Sequence, residues 1–284
     1  MKRFKDNKAF SADGFITTLI NYLKIKPLTI SDARFLYGAY VHSFFAFLKK
    51  GYQFGTVGFL LKRHINVTID SVYFRARPYS DDLGYIINNL KRFVWKWINV
   101  NQHSVIIDVG SNIGGFSIKL ATSVYKVISI EPNPSTFQAL IQNIEINKFQ
   151  NITPLNLALS NFLGNQYLYT SNKNFGLSSL FVDRDQNDDN RTGILVEVST
   201  LDTVILNFNF TKIDYLLIDA EGSELNIIKG GTQTLKLTEN IIIEVSYGSI
   251  SNELKDIINK NGCRIVGRHL QSNRDEYWLA KKMR

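Results

Sequence analysis

Apolar residues fall at helical spacing through the first part of the chain. Residues 11–65 read as helix, and the stretch Phe35 to Leu48 is dense in aromatic side chains. Arg34 and Lys49-Lys50 bound that stretch. It falls short of the roughly 18 uninterrupted apolar residues of a membrane span, so it reads as a buried helix or as one lying on a membrane surface. Val67, Ile69, Val72, Phe74 and Ala76 then alternate around Asp70-Ser71, the pattern of a half-buried hairpin. Ile86, Ile87, Leu90, Phe93, Val94, Trp97 and Ile98 return to helical spacing with Lys91, Arg92 and Lys96 between them. This predicts one continuous helix with an apolar face for a sheet and a cationic face opposite.

From residue 104 short apolar runs alternate with helical patterns. Val105–Val109 suits a strand buried on both faces, and a helix with Phe116 and Leu120 turned inward should begin near Gly114. A second strand, Val127–Ile130, ends at Glu131. Phe137, Leu140, Ile141 and Ile144 mark the next helix, and Ile152–Leu159 a third strand. Leu195–Val198 reads as an added strand, Ile213–Ile218 as a fourth main strand and Ile241–Val245 as a fifth. Arg264–Val266 and Tyr277–Ala280 suit an antiparallel pair at the sheet edge. Repeated strand–helix units with right-handed crossovers predict a doubly wound α/β fold with a mostly parallel, seven-stranded, Rossmann-like sheet over residues 66–284. Residues 1–65 form a separate helical extension. Ligands of such sheets bind at the carboxyl ends of the strands, and Asp108, Glu131, Asp219 and Glu244 all fall at predicted strand ends.

The first strand runs into Asp108-Val109-Gly110-Ser111-Asn112-Ile113-Gly114. Glycine there permits a tight turn and a close ligand, and the following helix start offers free N–H groups. Glu131, about 20 residues on, is placed to accept ribose hydroxyls. Together they point to a cofactor with an adenosine-like half. A dinucleotide fingerprint would need glycine at 112, where Asn stands. The pattern acidic-x-Gly-x-small-x-Gly fits a sulfonium nucleoside instead, beside which a carboxylate is favourable.

Charge and cysteine content narrow the partners. Residues 1–100 hold 16 Lys and Arg against 6 acidic residues, a net of +10, and the remainder holds 17 against 19, a net of −2. The basic block suits anionic lipid, nucleic acid or an anionic substrate, or is simply a solvated surface. One cysteine, Cys263, excludes an internal disulfide and a cysteine-built zinc site. With no apolar leader after Met1-Lys2-Arg3, a cytoplasmic protein is expected, with peripheral membrane contact through residues 1–65 as a variant. The four histidines, His42, His64, His103 and His269, lack metal-ligand spacing.

Six segments together are specific. Asp108-Val-Gly-Ser-Asn-Ile-Gly-Gly-Phe116, Glu131-Pro-Asn-Pro134, Ser199-Thr-Leu-Asp202, Lys212-Ile-Asp-Tyr-Leu-Leu-Ile-Asp219-Ala-Glu-Gly-Ser-Glu224 and Leu157-Ala-Leu-Ser-Asn161, joined by Asn174-Phe-Gly-Leu-Ser-Ser179, resemble the FkbM family of methyltransferases. The similarity covers roughly residues 66–250. The resemblance implies a class I methyltransferase with S-adenosyl-L-methionine as donor and a hydroxyl of a sugar, glycolipid or small-molecule metabolite as acceptor. It implies that Asp108, Gly110, Asn112 and Gly114 hold the methionine part. Glu131 would bind the ribose with Asn133 beside it, and Ala158 and Ser160 would flank the adenine. Ser80-Asp81 resembles a short element before the domain, so Asp81 either touches the amino-acid end of the cofactor or caps a helix.

Methyl transfer to a hydroxyl needs positioning and a base. Asp219 or Glu221 is the candidate base, whereas Glu224 suits a helix start through the dipole alone. Asp219, Glu221 and Glu244 could instead hold a hard divalent ion, but no further ligand cluster accompanies them. Asp202 is expected to cap or begin a helix. The polar segment 182–193, with Asp183, Asp185, Asp188 and Asp189, is a loop able to cover an acceptor pocket. Two other functions compete: a ribose methyltransferase holding RNA through its basic first third, and a non-catalytic binding module docked by residues 1–65. Glu244 to Ser249 lacks the lysines that the first would add, and Asp108, Glu131 and Asp219 together weigh against the second.

Overall fold

The computed structural model describes residues 25–50, 61–171, 179–180, 191–246, 250–271 and 275–283. The rest of the helical extension, Asn174–Ser178 and most of the 182–193 loop lie outside the described residues. Two compact units divide at Leu90 and Lys91.

The first unit carries a small antiparallel sheet in the order β1 (Lys26–Pro27), β2 (Ile65–Ile69), β3 (Val72–Ala76). Asp70 and Ser71 turn the β2–β3 hairpin with φ of 48° and 68°, the paired left-handed conformation of a tight hairpin. Alternation does its work here, since Ile65, Val67, Val72 and Phe74 are buried. Helix α1 (Ile30–Lys50) buries Leu36, Ala39 and Tyr40 and exposes Phe35, Tyr37 and Val41. Thr29 and Asp32 close its first turn, and Arg63 pairs with Asp32 at 3.1 Å. Among the described residues no helix is long and apolar enough to cross a membrane. Helix α2 (Asp82–Lys91) begins where the backbone and guanidinium of Arg77 both donate to Asp82.

The second unit is the doubly wound α/β sheet that the alternation predicts. Its seven strands run in the order β12 (Cys263–Leu270), β13 (Asp275–Lys282), β11 (Thr238–Ser246), β10 (Ile213–Ile218), β4 (Val105–Val109), β5 (Lys126–Ile130), β6 (Ile152–Leu155). β6, β5, β4, β10 and β11 are parallel, and β13 and β12 form the expected antiparallel edge. All five residues of β4 are buried, as a central strand covered on both faces requires. Helices α3 (Gly115–Ala121) and α4 (Pro134–Asn147) cross over from β4 and β5. The strand order reverses between β4 and β10, the switch point where an open α/β sheet leaves a crevice.

Two expectations need correction. The helix drawn through Ile98 stops at Lys91; Arg92 is extended (φ −52°, ψ 134°) and Phe93–Trp97 form a 3-10 turn. The aromatic residues of that turn follow the sheet edge rather than a helical face. Phe93 stacks on His269 with centroids 3.9 Å apart, and the Trp97 ring lies where a Cβ on Gly267 would be 3.3 Å from it. The third strand is also shorter than drawn. Asn156 donates to the carbonyls of Glu131 and Pro132, which ends pairing with β5 at Leu155. Ala158–Ser160 is a separate strand, β7, in a three-stranded sheet with β9 (Arg191–Thr200) and β8 (Gly164–Ser171).

Candidate functional site

The glycine loop leaves β4 in an alternating conformation. Gly110, Asn112 and Gly114 have φ of 77°, 52° and 97°, the left-handed region that glycine enters freely and Asn tolerates. Gly110 is required by space as well: a Cβ there would lie 1.9 Å from the carbonyl oxygen of Asp219. That approach follows from the β4–β10 pairing, in which the Asp219 N–H donates to Val109 at 3.0 Å. Asn112 Oδ1 accepts from the Ile113 N–H at 2.8 Å. Asn143, buried on α4, donates to the Ile113 carbonyl at 2.8 Å and ties the loop down from behind. Its signal in the sequence is a polar residue on an otherwise apolar helix face, which the periodicity reading passed over.

Glu131 follows β5 and closes over the same loop. Its Oε2 accepts the Asn112 N–H and its Oε1 the Asn133 N–H, both at 2.9 Å. Through both oxygens this carboxylate holds the loop to the start of the next helix. Asn133 itself is the N-cap of α4, accepting from the Ser135 and Thr136 N–H groups. Ala158 and Ser160 are both buried in β7, and a Cβ on Gly230 would meet the Ser160 carbonyl oxygen at 2.2 Å. Glu131 therefore joins Asn112 of the glycine loop to Asn133 by direct contacts. A glycine cradle, a helix start and an acid one strand away together fit an adenosine-bearing donor.

Asp108 is not on the loop surface. It is 2% exposed, and its Oδ2 accepts from Ser117 Oγ at 2.5 Å, with Ser129 Oγ beyond at 2.5 Å. Burial pushes its carboxyl up to about 6, against the opposing bond from Ser117. Asp81 belongs to the first unit, beside the start of α2, where its Oδ1 would lie 2.3 Å from a Cβ on Gly84. Burial and the neighbouring Asp82 raise its carboxyl to about 6.

The carboxyl ends of β10 and β11 bring acids together. Carboxylate oxygens of Asp219, Glu221 and Glu244 lie within 4.8 Å of one another. Glu221 sits at φ 48° and Gly222 at φ 102°. The loop keeps this shape because Glu224 folds back and accepts the Ala220 and Gly222 N–H groups at 3.2 and 2.9 Å. Glu224 is thus a structural acid. Asp202 opens α5 (Leu201–Leu206) and caps α6 (Thr232–Leu237) through the Gln233 and Thr234 N–H groups at 3.0 and 2.7 Å.

Two residues that periodicity could not identify complete the acid cluster. Arg92 forms an ion pair with Asp219 and donates to Tyr277 Oη at 2.5 Å. Tyr277, on β13, donates to Asp219 Oδ2 at 3.4 Å. Burial alone would raise the Asp219 carboxyl, but the Arg92 charge and hydrogen bonds from Glu244, Arg92 and Tyr277 hold it well below the usual range. Burial and then the Asp219 charge push Glu244 far above it. The two carboxyls thus shift in opposite directions, with the Arg92 guanidinium on the Asp219 side. A divalent ion at Asp219 would have to displace that guanidinium.

Residues 108–264, more than half of the chain, match the family model described as the methyltransferase FkbM domain. The chain is similar to the hexuronic acid methyltransferase AglP of Haloferax volcanii, with 25% identity over 62% of this chain and 69% of that protein. It is also similar to the methyltransferase sdnD of Sordaria araneosa, with 26% identity over 51% of this chain and 68% of that protein. Among solved structures, the methyltransferase FkbM from Methylobacillus flagellatus matches with a TM-score of 0.46 and 16% identity, covering 70% of this chain and 54% of that one. The chain thus spans about half the length of that structure. Its glycine loop, its strand-end acids and the matched span together make this protein a member of the FkbM methyltransferase family.

Proposed function

We propose that this chain is an O-methyltransferase that uses S-adenosylmethionine to methylate a hydroxyl of a sugar or sugar-bearing small molecule. The observation that carries the reading is the acid cluster of Asp219, Glu221 and Glu244, joined at Asp219 to the backbone of Gly110. The cofactor supplies an electrophilic methyl group on a sulfonium. The protein holds its nucleoside through Glu131 and the 110–114 loop, with Ala158 and Ser160 beside the base. Asp81 joins this proposal on its chemistry alone, as a carboxylate with no ion pair among the described residues, suited to an ammonium. Such transfer exchanges one sulfur–carbon bond for one oxygen–carbon bond and releases one proton, so the cluster's task is to orient the hydroxyl and take that proton. The name of the Haloferax relative supports a sugar acceptor.

Calorimetry with S-adenosylmethionine and labelled-methyl transfer to glycans, glycolipids and RNA test the reading together. Heat of binding and label on a sugar hydroxyl are expected; no heat at high cofactor concentration would end it. Label on RNA instead would favour the second reading, a nucleic-acid acceptor, which the +10 charge of residues 1–100 supports. Activity should persist in EDTA because Arg92 already provides the positive charge at Asp219. Loss reversed by magnesium would reassign the cluster.

A further inference from the structure

The turn that carries Glu221 is closed on itself and held again from another sheet. The Ser223 N–H donates to the Ala220 carbonyl at 3.2 Å, and the two residues between, Glu221 and Gly222, have φ of 48° and 102°. Positive φ at both central positions is the type I′ form. Glycine in the third place would serve a type II turn equally well, and there the residue before it keeps an ordinary negative φ. Glu221 is left-handed instead, a conformation that a residue with a Cβ holds only where its surroundings over-determine it. Glu224 supplies part of that constraint through the Ala220 and Gly222 N–H groups. The carbonyl of the central peptide is held by a different partner: Ser179 Oγ donates to the Glu221 oxygen at 2.9 Å.

Ser179 is itself fixed from the far side. Its N–H donates to the Tyr169 carbonyl on β8 at 3.0 Å, its carbonyl accepts from the Tyr169 N–H at 2.9 Å, and the residue is 3% exposed. Leu180 beside it is buried with Ala158, Leu168, Val196 and Val198, and its carbonyl accepts from the Gln166 side chain at 3.1 Å. The hydroxyl is thus delivered to the turn by a packed core that contributes no acid to the cluster.

We propose that Ser179 is a positioning residue: its hydroxyl holds the Glu221 carbonyl and selects the turn that brings the Glu221 carboxylate to those of Asp219 and Glu244. This rests on the reading that the acid cluster faces the acceptor hydroxyl. Losing the bond frees the central peptide, Glu221 relaxes toward negative φ, and its Cβ turns the carboxylate to a new direction. A displacement of about 1 Å in a reacting constellation costs on the order of a hundredfold in rate. The cofactor loop, tied to Glu131 and Asn143, does not depend on this bond.

The test uses the full chain, isotopically labelled at the carbonyl carbon of Glu and the amide nitrogen of Gly. Glu221-Gly222 is the one Glu-Gly pair in the sequence, so a single carbon–nitrogen correlation in the NMR spectrum reports this peptide. Ser179→Ala should move its carbonyl carbon upfield, the direction of a lost hydrogen bond. Ser179→Thr, which keeps the hydroxyl, should stay near the wild type. Thr170→Val removes another side-chain bond of the same sheet, to the Thr192 carbonyl, and should leave the signal in place. In labelled-methyl transfer to para-nitrophenyl glucuronide, Ser179→Ala should lower kcat about tenfold or more, with the calorimetric affinity for S-adenosylmethionine unchanged. Ser179→Thr should restore kcat, and Thr170→Val should keep it.

An unmoved carbonyl signal in Ser179→Ala would overturn the proposal, as would a kcat equal to that of the wild type or an equal fall in Thr170→Val. If Ser179→Ala does not fold, Ser179→Cys, a weak donor of nearly the same shape, decides by the same signal. A wild type that binds no S-adenosylmethionine would instead defeat the methyltransferase reading, and the carbonyl signal would still show whether Ser179 holds the turn.

Discussion

Asp108 shows how one carboxylate can belong to a ligand-binding sequence motif and still face the core. Ser117 donates to it and favours the ionised form, but burial outweighs that bond, and the raised value of about 6 means that the folded state holds a proton that the unfolded state has released. Stability from this group is therefore fully present below the ordinary value of 3.8 and is lost as pH rises through about 6. The full loss is roughly 3 kcal/mol. Asp108→Asn should gain on the wild type by about that amount between acid and neutral pH in denaturant unfolding, and an equal pH dependence in both would refute the assignment. Glu131 behaves differently because both of its oxygens accept backbone N–H groups. Glu131→Gln places an NH2 against one of those donors and removes a charge-assisted bond of about 1.5–3 kcal/mol. Cofactor affinity should fall on the order of tenfold to a hundredfold by calorimetry, and unchanged affinity would place the ribose elsewhere.

At the scale of elements, the glycine loop works because β4 and β10 end side by side. Gly110→Ala adds a left-handed strain and drives a methyl group to within 1.9 Å of the Asp219 carbonyl oxygen, a backbone atom that cannot swing aside. The two strand ends must part, and a cost of about 3 kcal/mol or more is expected in thermal unfolding, with loss of cofactor binding. A fully stable Gly110→Ala would contradict the pairing. This element was legible in the sequence because left-handed positions demand particular residues, and Gly110, Asn112 and Gly114 announce them. Glu131 was legible for a related reason, as an acid closing an apolar run. The split between β6 and β7 was hidden, because apolar residues continue from Leu155 to Ala158 while the break is made by a side-chain bond from Asn156. Arg92 and Tyr277 were hidden more deeply. They lie 127 and 58 residues from Asp219 along the chain, and Arg92 sits inside a helical pattern that only the packing of Phe93 and Trp97 interrupts.

Taken whole, the molecule divides its charge unevenly, and the division separates two kinds of binding. The first hundred residues carry +10 and the remainder −2, yet the contacts assembled around the glycine loop and Glu131 are short-range and partly buried. Exposed charges act through solvent and are screened over about 8–10 Å at ordinary ionic strength, whereas buried hydrogen bonds are screened much less. The full chain should be retained on heparin, a simple polyanion, at low salt and released steadily as salt rises, with counterion release setting the slope. The calorimetric affinity for S-adenosylmethionine should move little over the same salt range. If the two fell together, the cofactor would be held by the long-range field of the basic block rather than by the loop, and the separation of roles between the two parts of the chain would be lost.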